Sequence, residues 1–270
     1  MRLRFKPEGL RLALAASALT VFPGTAHAGA WLQPKGKGLL ILSGTMLSSG
    51  SAFDDGGGSF DVPRYNKFEL GGWLEYGLTD HFTAILQPQF RSVSIAGPTD
   101  ASHSDLGYTG IGARIGLWSN ETSVISFQSL LRIPGSSDEN DPAEAGSTQV
   151  EEDIRLLYGR SFRLGAWPAF LDTEFAYRFR GGGAPDEIRS DVAFGVRPRP
   201  DLMLMAQSFS TFSQGNARGF YDVGWEWKAA ASVVWDFTPE WSVQVGGIAT
   251  LAGENTLRER GGFVALWKRF

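Results

Sequence analysis

The 270-residue chain contains no cysteine. That excludes disulfides, thiol catalysis, thiolate metal sites and a lipid anchor on an N-terminal cysteine. Histidine is nearly absent: beyond His27 only His81 and His103 remain. No metal-binding His/Cys spacing, G-x-S-x-G or P-loop occurs, so neither a metal nor another cofactor is implied. After the N-terminal region there is no run of 18 or more apolar residues, which excludes helical membrane spans. Lysine is scarce, six residues against 19 arginines; arginine predominates where planar, paired charges are held in confined places. Strong charge of one sign is also lacking. The net charge of −4 argues against a nucleic-acid partner.

What is plentiful is glycine, at 34 residues, and phenylalanine, at 19. Both suit tight turns and an aromatic-decorated β surface. Residues 1–28 read as a secretory signal peptide. Arg2, Arg4, Lys6 and Arg11 form its basic region, residues 12–22 its short apolar core, and Ala26-His27-Ala28 its small-x-small cleavage site. Cleavage is expected before Gly29, leaving residues 29–270 as a single domain.

Residues 221–237, YDVGWEWKAAASVVWDF, carry the clearest pattern. Tyr221, Val223, Trp225, Trp227, Ala229, Ala231, Val233, Trp235 and Phe237 share one side; Asp222, Gly224, Glu226, Lys228, Ala230, Ser232, Val234 and Asp236 share the other. This period-2 alternation runs to about twice the usual strand length. A strand with an apolar, aromatic-girdled face and a polar face belongs in a transmembrane barrel.

Read the same way, residues 39–47, 64–78, 82–93, 107–118, 122–133, 151–162, 167–180, 186–196, 201–212, 241–251 and 261–270 supply the remaining strands. Pro88 reads as a local bulge, since proline cannot donate to a ladder. Tyr108, Arg114 and Trp118 are expected on the inward face. Connections alternate between short turns and mostly longer loops, among them 48–62, 94–106, 134–149 and 252–260. Short periplasmic turns and longer outer loops are the habit of bacterial outer-membrane barrels. The fold class is therefore all-β: a transmembrane, antiparallel, up-and-down β-barrel of about 12 strands, with 10 or 14 as alternatives, and both termini in the periplasm. Expected partners are outer-membrane lipid and the barrel assembly machinery. Phe270 resembles the terminal aromatic that this machinery reads, although Lys268 departs from the usual signature.

The inward faces collect charges of both signs. Lys67, Arg91, Arg114, Arg132, Arg155, Arg178, Arg180, Arg189 and Lys228 stand against Glu69, Glu75, Glu151, Asp153, Asp172, Glu174, Glu187, Asp191, Asp222 and Glu226. Two readings compete. The residues line a water-filled path for a hydrophilic solute, or they only make the interior of a structural or adhesive barrel tolerable. A barrel of about 12 strands is wider than the eight that side chains alone can fill, which favours the path. No enzyme is expected. His81 falls in a turn, and His103-Ser104-Asp105 are loop neighbours without the mutual reach that a nucleophile and base require. Asp54-Asp55 and the acidic residues 137–144 offer clustered oxygens, but a hydrated loop is the better reading than a calcium site.

Several blocks taken together resemble a known family: Gly29-Ala30-Trp31 with residues 34–38 (PKGKG), residues 74–80 (LEYGLTD), 131–135 (LRIPG), 157–160 (LYGR), 176–180 (AYRFR) and 186–189 (DEIR). They are similar to the XagA-type proteins of proteobacterial exopolysaccharide gene clusters. More distantly they resemble the outer-membrane transporters linked to the phenol meta-pathway. The resemblance implies an outer-membrane barrel beside a glycan-making or solute-uptake system, with a polysaccharide or small hydrophilic solute as the partner. It implies no particular binding residue.

Overall fold

The computed structural model describes residues 29–97, 100–135, 149–215 and 223–270. Residues 1–28, expected as a signal peptide, most of the acidic 134–149 loop, and Tyr221 and Asp222 therefore lie outside the described residues. The chain forms twelve strands: β1 (Gly38–Phe53), β2 (Ser59–Thr79), β3 (Phe82–Gln87 with Gln89–Ala96), β4 (Ala101–Leu106 with Thr109–Ser119), β5 (Ser123–Ile133), β6 (Glu151–Leu164), β7 (Trp167–Arg180), β8 (Asp186–Arg199), β9 (Leu202–Gln214), β10 (Trp225–Asp236), β11 (Trp241–Glu254) and β12 (Thr256–Leu257 with Arg260–Arg269). Each strand pairs antiparallel with the next. The ladder from Leu39↔Arg269 to Ser48↔Arg260 joins β1 to β12 and closes the barrel, leaving no free edge.

Alternation dictates the two surfaces. Leu42, Met46, Leu70, Ile111, Leu131, Leu156, Phe175, Leu204, Val233, Val245 and Val264 all face outward and are exposed. An apolar band of this extent is untenable in water, and hydrocarbon is the solvent that satisfies it. Trp227 and Trp235 mark the two ends of the band on β10. Eight residues at ~3.4 Å each, tilted about 40°, span roughly 20 Å of height, close to the ~25 Å of an outer-membrane apolar band.

Five local expectations need correction. Residues 48–62 and 94–106, expected as loops, are mostly strand: β1 runs to Phe53, β2 starts at Ser59, β3 reaches Ala96 and β4 begins at Ala101. Past the lipid band the outer face has no hydrocarbon to satisfy, so the apolar/polar signal fades while the backbone ladder continues. Residues 252–260 are likewise a tight reversal at Asn255, whose φ of 52° is a left-handed conformation that asparagine tolerates. Pro88 sits in register with Gly72 of β2, which donates to its carbonyl at 2.9 Å. The extra residue lies instead on β4, at Gly107 and Tyr108, where Gln87↔Gly110 changes to Phe90↔Leu106. Proline's missing N–H faces Gly72 of β2, while the bulge falls on the opposite neighbour. A second bulge between Gly116 and Trp118 turns Trp118 to the outside, half exposed at 50%, rather than into the barrel.

Candidate functional site: the charged barrel interior

Four adjacent strands, β5 to β8, build one continuous ion-pair network. Their register sets opposite charges directly across from one another: Arg132↔Glu151, Glu151↔Arg180, Asp153↔Arg178 and Glu187↔Arg178. Facing residues on neighbouring strands have Cβ atoms about 5 Å apart, within reach of charged side chains. Arg155 is the hub, with Nε 2.6 Å from Asp153 Oδ1 and Nη1 2.7 Å from Glu174 Oε2 and 2.8 Å from Asp191 Oδ2. Arg178 takes Asp153 Oδ2 at 2.8 Å and Glu187 Oε2 at 3.3 Å. Arg180 bridges Glu151 Oε1 at 2.9 Å and Glu187 Oε1 at 2.8 Å, while Arg132 donates to Glu151 Oε2 at 3.0 Å. Arg189 lies 3.5 Å from Glu187 Oε2. The guanidinium's several in-plane donors let each arginine hold two or three carboxylates.

A second cluster stands on the other side of the barrel seam. Glu259, in the irregularity of β12, receives Lys67 of β2 at 3.3 Å and Lys228 of β10 at 3.0 Å. Lys228 also meets Glu226 at 2.9 Å, and Arg91 meets Glu69 at 3.1 Å. Glu259 was hidden inside the expected 252–260 loop, and no alternation singled it out.

The third element is the lead before β1, which sequence reasoning treated as a plain polar stretch. It enters the barrel at the short-turn end. Ala30 is fully buried; its N–H donates to Asp172 Oδ2 at 2.8 Å and its carbonyl accepts from Ser126 Oγ at 2.8 Å. Arg114 donates to the Trp31 carbonyl at 3.0 Å and reaches Glu75 at 2.9 Å and Gln128 at 2.9 Å. Gln33 donates from its backbone to Thr83 at 2.9 Å and from its side chain to Glu75 at 2.7 Å. The Trp31 ring lies over Gly159, where a Cβ would come within 2.4 Å of it. A signal existed: small residues, Gly29 and Ala30, beside a tryptophan directly after the expected cleavage site.

The described predicted residues all point inward, and most are buried; Arg155, Glu174 and Asp191 keep some exposure, with 13%, 21% and 15% of their side-chain surface open. The interior is not uniformly polar, however. Leu39, Ile41, Phe170, Met203, Met205, Val234, Ala265 and Trp267 pack together inside the lower half of the barrel, against Trp31 and Trp73. Leu47, Phe209, Ala230, Ile248 and Phe263 form a second apolar cluster on the same side. Charged side chains therefore lie on the inner face from β2 to β8, while from β9 to β1 the inner face is mainly apolar and neutral polar, apart from the seam cluster and the Arg269–Asp236 pair. A cavity of about 680 Å³ lies at the short-turn end, bordered by Trp31, Leu39, Arg197, Asp236, Arg269 and Phe270. His103 pairs with Val93 on a strand and lies 3.8 Å from Asp105, while Ser104 faces the other way and bonds Ser92 at 2.7 Å.

No protein-family model matches the chain, and no curated protein matches it. Among solved structures it is similar to the COG4313 outer membrane channel from Pseudomonas putida F1, at 19% identity and a TM-score of 0.73, over 93% of this chain and 100% of that one. It is also similar to the NanC porin, at 10% identity and a TM-score of 0.51, over 84% of this chain and 98% of that one. At such identities the likeness is one of fold. The apolar band, the closed ladder and these neighbours together give a porin-like β-barrel of the Gram-negative outer membrane, in contact with its lipid.

Proposed function

We propose that the protein is an outer-membrane channel for a hydrophilic solute, with the predicted residues of β2 to β8 as its polar wall. The observation that carries this reading is the density of interior charge. Among the described residues, nine Arg and Lys side chains and ten carboxylates of the clusters above point inward, and Arg197, Arg269 and Asp236 add a further group at the short-turn end. Buried ion pairs are no more stabilising than well-packed apolar side chains of similar volume. A barrel with only a structural task has no need of them, and its other wall shows that this chain can fill an interior with Leu, Ile, Met, Phe and Trp. Charges that replace lost hydration along a path do need them. The resemblance to XagA-type proteins adds a glycan chain to the small hydrophilic solutes the path could pass, and the chain performs no catalysis in this reading. Purified protein in a planar bilayer is expected to show discrete conductance steps; silent bilayers with correctly folded protein would sink the idea.

A second reading has its own observation: the interior is closely filled, and the lead occupies its short-turn end. A structural or adhesive barrel would look like this. Deleting residues 30–34 separates the two, because a plugged channel gains conductance and a solid barrel stays silent. Phe270 supports the barrel-assembly reading. It stacks on Tyr76 at 6.5 Å and exchanges backbone hydrogen bonds with Gly38 at 2.8 and 3.0 Å, at the seam where the barrel closes. Loss of Phe270 is expected to lower the yield of assembled protein in the outer membrane.

A further inference from the structure

Among the interior charges, Asp172 stands apart. Among the described residues, each other interior carboxylate has an Arg or Lys at ion-pair distance. Asp172 is buried on β7, where it accepts the Ala30 N–H at 2.8 Å and shares a side-chain hydrogen bond with the Glu174 carboxyl, and among the described residues no Arg or Lys stands at ion-pair distance from it. A buried carboxylate without a counter-charge is costly. The chain atoms beside it belong to Gly29. A Cβ built there would lie 2.3 Å from Asp172 Oδ1 and 2.6 Å from Oδ2, so the Gly29 Cα rests directly on the carboxylate. Its α-nitrogen is one bond, ~1.46 Å, from that Cα.

We propose that Asp172 is the docking site for the α-ammonium group released when the signal peptide is cut before Gly29. In the mature chain this amine supplies the counter-charge that Asp172 otherwise lacks. The lead is then a plug held by a charged latch, and processing by the peptidase, which hydrolyses the Ala28–Gly29 amide, is what completes the interior. The arrangement also accounts for glycine at position 29. Its φ is 50°, and any side chain would collide with the carboxylate it serves. The inference goes beyond the channel reading and does not depend on it, since a silent bilayer leaves it untouched.

The test uses mature protein extracted from outer membranes. Mass spectrometry of the intact chain is expected to place its first residue at Gly29. An amine-reactive ester applied near pH 7 favours an α-amine, ordinarily of pKa about 8, over lysine at about 10.4. Folded wild type is expected to label at its terminus at least tenfold more slowly than Asp172→Asn, whereas Asp172→Glu stays protected. Should Asp172→Asn fail to fold, Gly29→Ala displaces the amine without altering the carboxylate and is expected to label fast. A mature terminus at another residue overturns the proposal. So does equal labelling of folded wild type and the displaced variants.

Discussion

The two walls of the barrel interior solve one packing problem in different ways. From β5 to β8 the space is filled by long charged side chains that neutralise one another across the ladder. From β9 to β1 it is filled largely by Met203, Met205, Val234 and Trp267, with Phe170 at the short-turn end of β7 packed against them. The apolar wall is held by contact and needs small residues opposite large ones: at Gly195 a Cβ would lie 2.1 Å from the Phe170 ring. The charged wall is held by pairing, and each member depends on the charge of its neighbours. Only the charged wall can exchange its internal partners for water or a polar solute without exposing an apolar surface.

That contrast can be broken on either side. The largest effect is expected from Arg178→Ala, which takes a shared guanidinium from Asp153 and Glu187 and leaves the buried network one positive charge short; about 3–5 kcal/mol should be lost, read as a lower urea midpoint in detergent. Replacing the ionic group wholesale sharpens the point. Arg178→Met together with Asp153→Leu and Glu187→Leu is expected to fold better than Arg178→Ala alone, while removing any conductance the wild type shows. On the apolar wall Met203→Ala should cost about 2–5 kcal/mol through transfer and cavity effects, without altering ion selectivity. Gly195→Ala follows, at about 1–3 kcal/mol, because the Phe170 ring must move. The smallest effect is expected at the exposed rim. There a hydrogen bond from Lys268, with its charge, holds the Glu240 carboxyl below its usual 4.5. A depressed pKa contributes stability above the unfolded value and loses it as pH falls through the folded one. Glu240→Gln should therefore flatten the acid limb of the stability profile slightly below about pH 4.5, in urea titrations at several pH values.

Much of this architecture was legible because lipid imposes a strict rule on one face. Leu70, Phe175, Val233 and their like had to alternate with inward residues, so the strands from 64–78 to 261–270 could be read directly. The rule lapses where lipid ends, and there the reading failed: the β1–β2 and β3–β4 extensions looked like loops. It also fails at bulges, since one extra residue near Gly116 reverses the face of Trp118. The charged strands were found because their inward faces carry Asp, Glu and Arg at every second position. The apolar wall was missed because Met203 and Met205 alternate with Leu204, leaving no contrast between faces.

The sequence by itself determined the exported barrel, its approximate strand number, its lipid face and the identity of the charges inside, because each rests on local alternation or composition. Tertiary structure alone decided which of those charges meet. Glu259 joins Lys67 to Lys228 across the seam, and the lead folds back from β1 to lie on Asp172, far along the chain on β7. Such contacts depend on closure of the sheet and on the direction a short segment takes through the interior, and no periodicity in the chain encodes either.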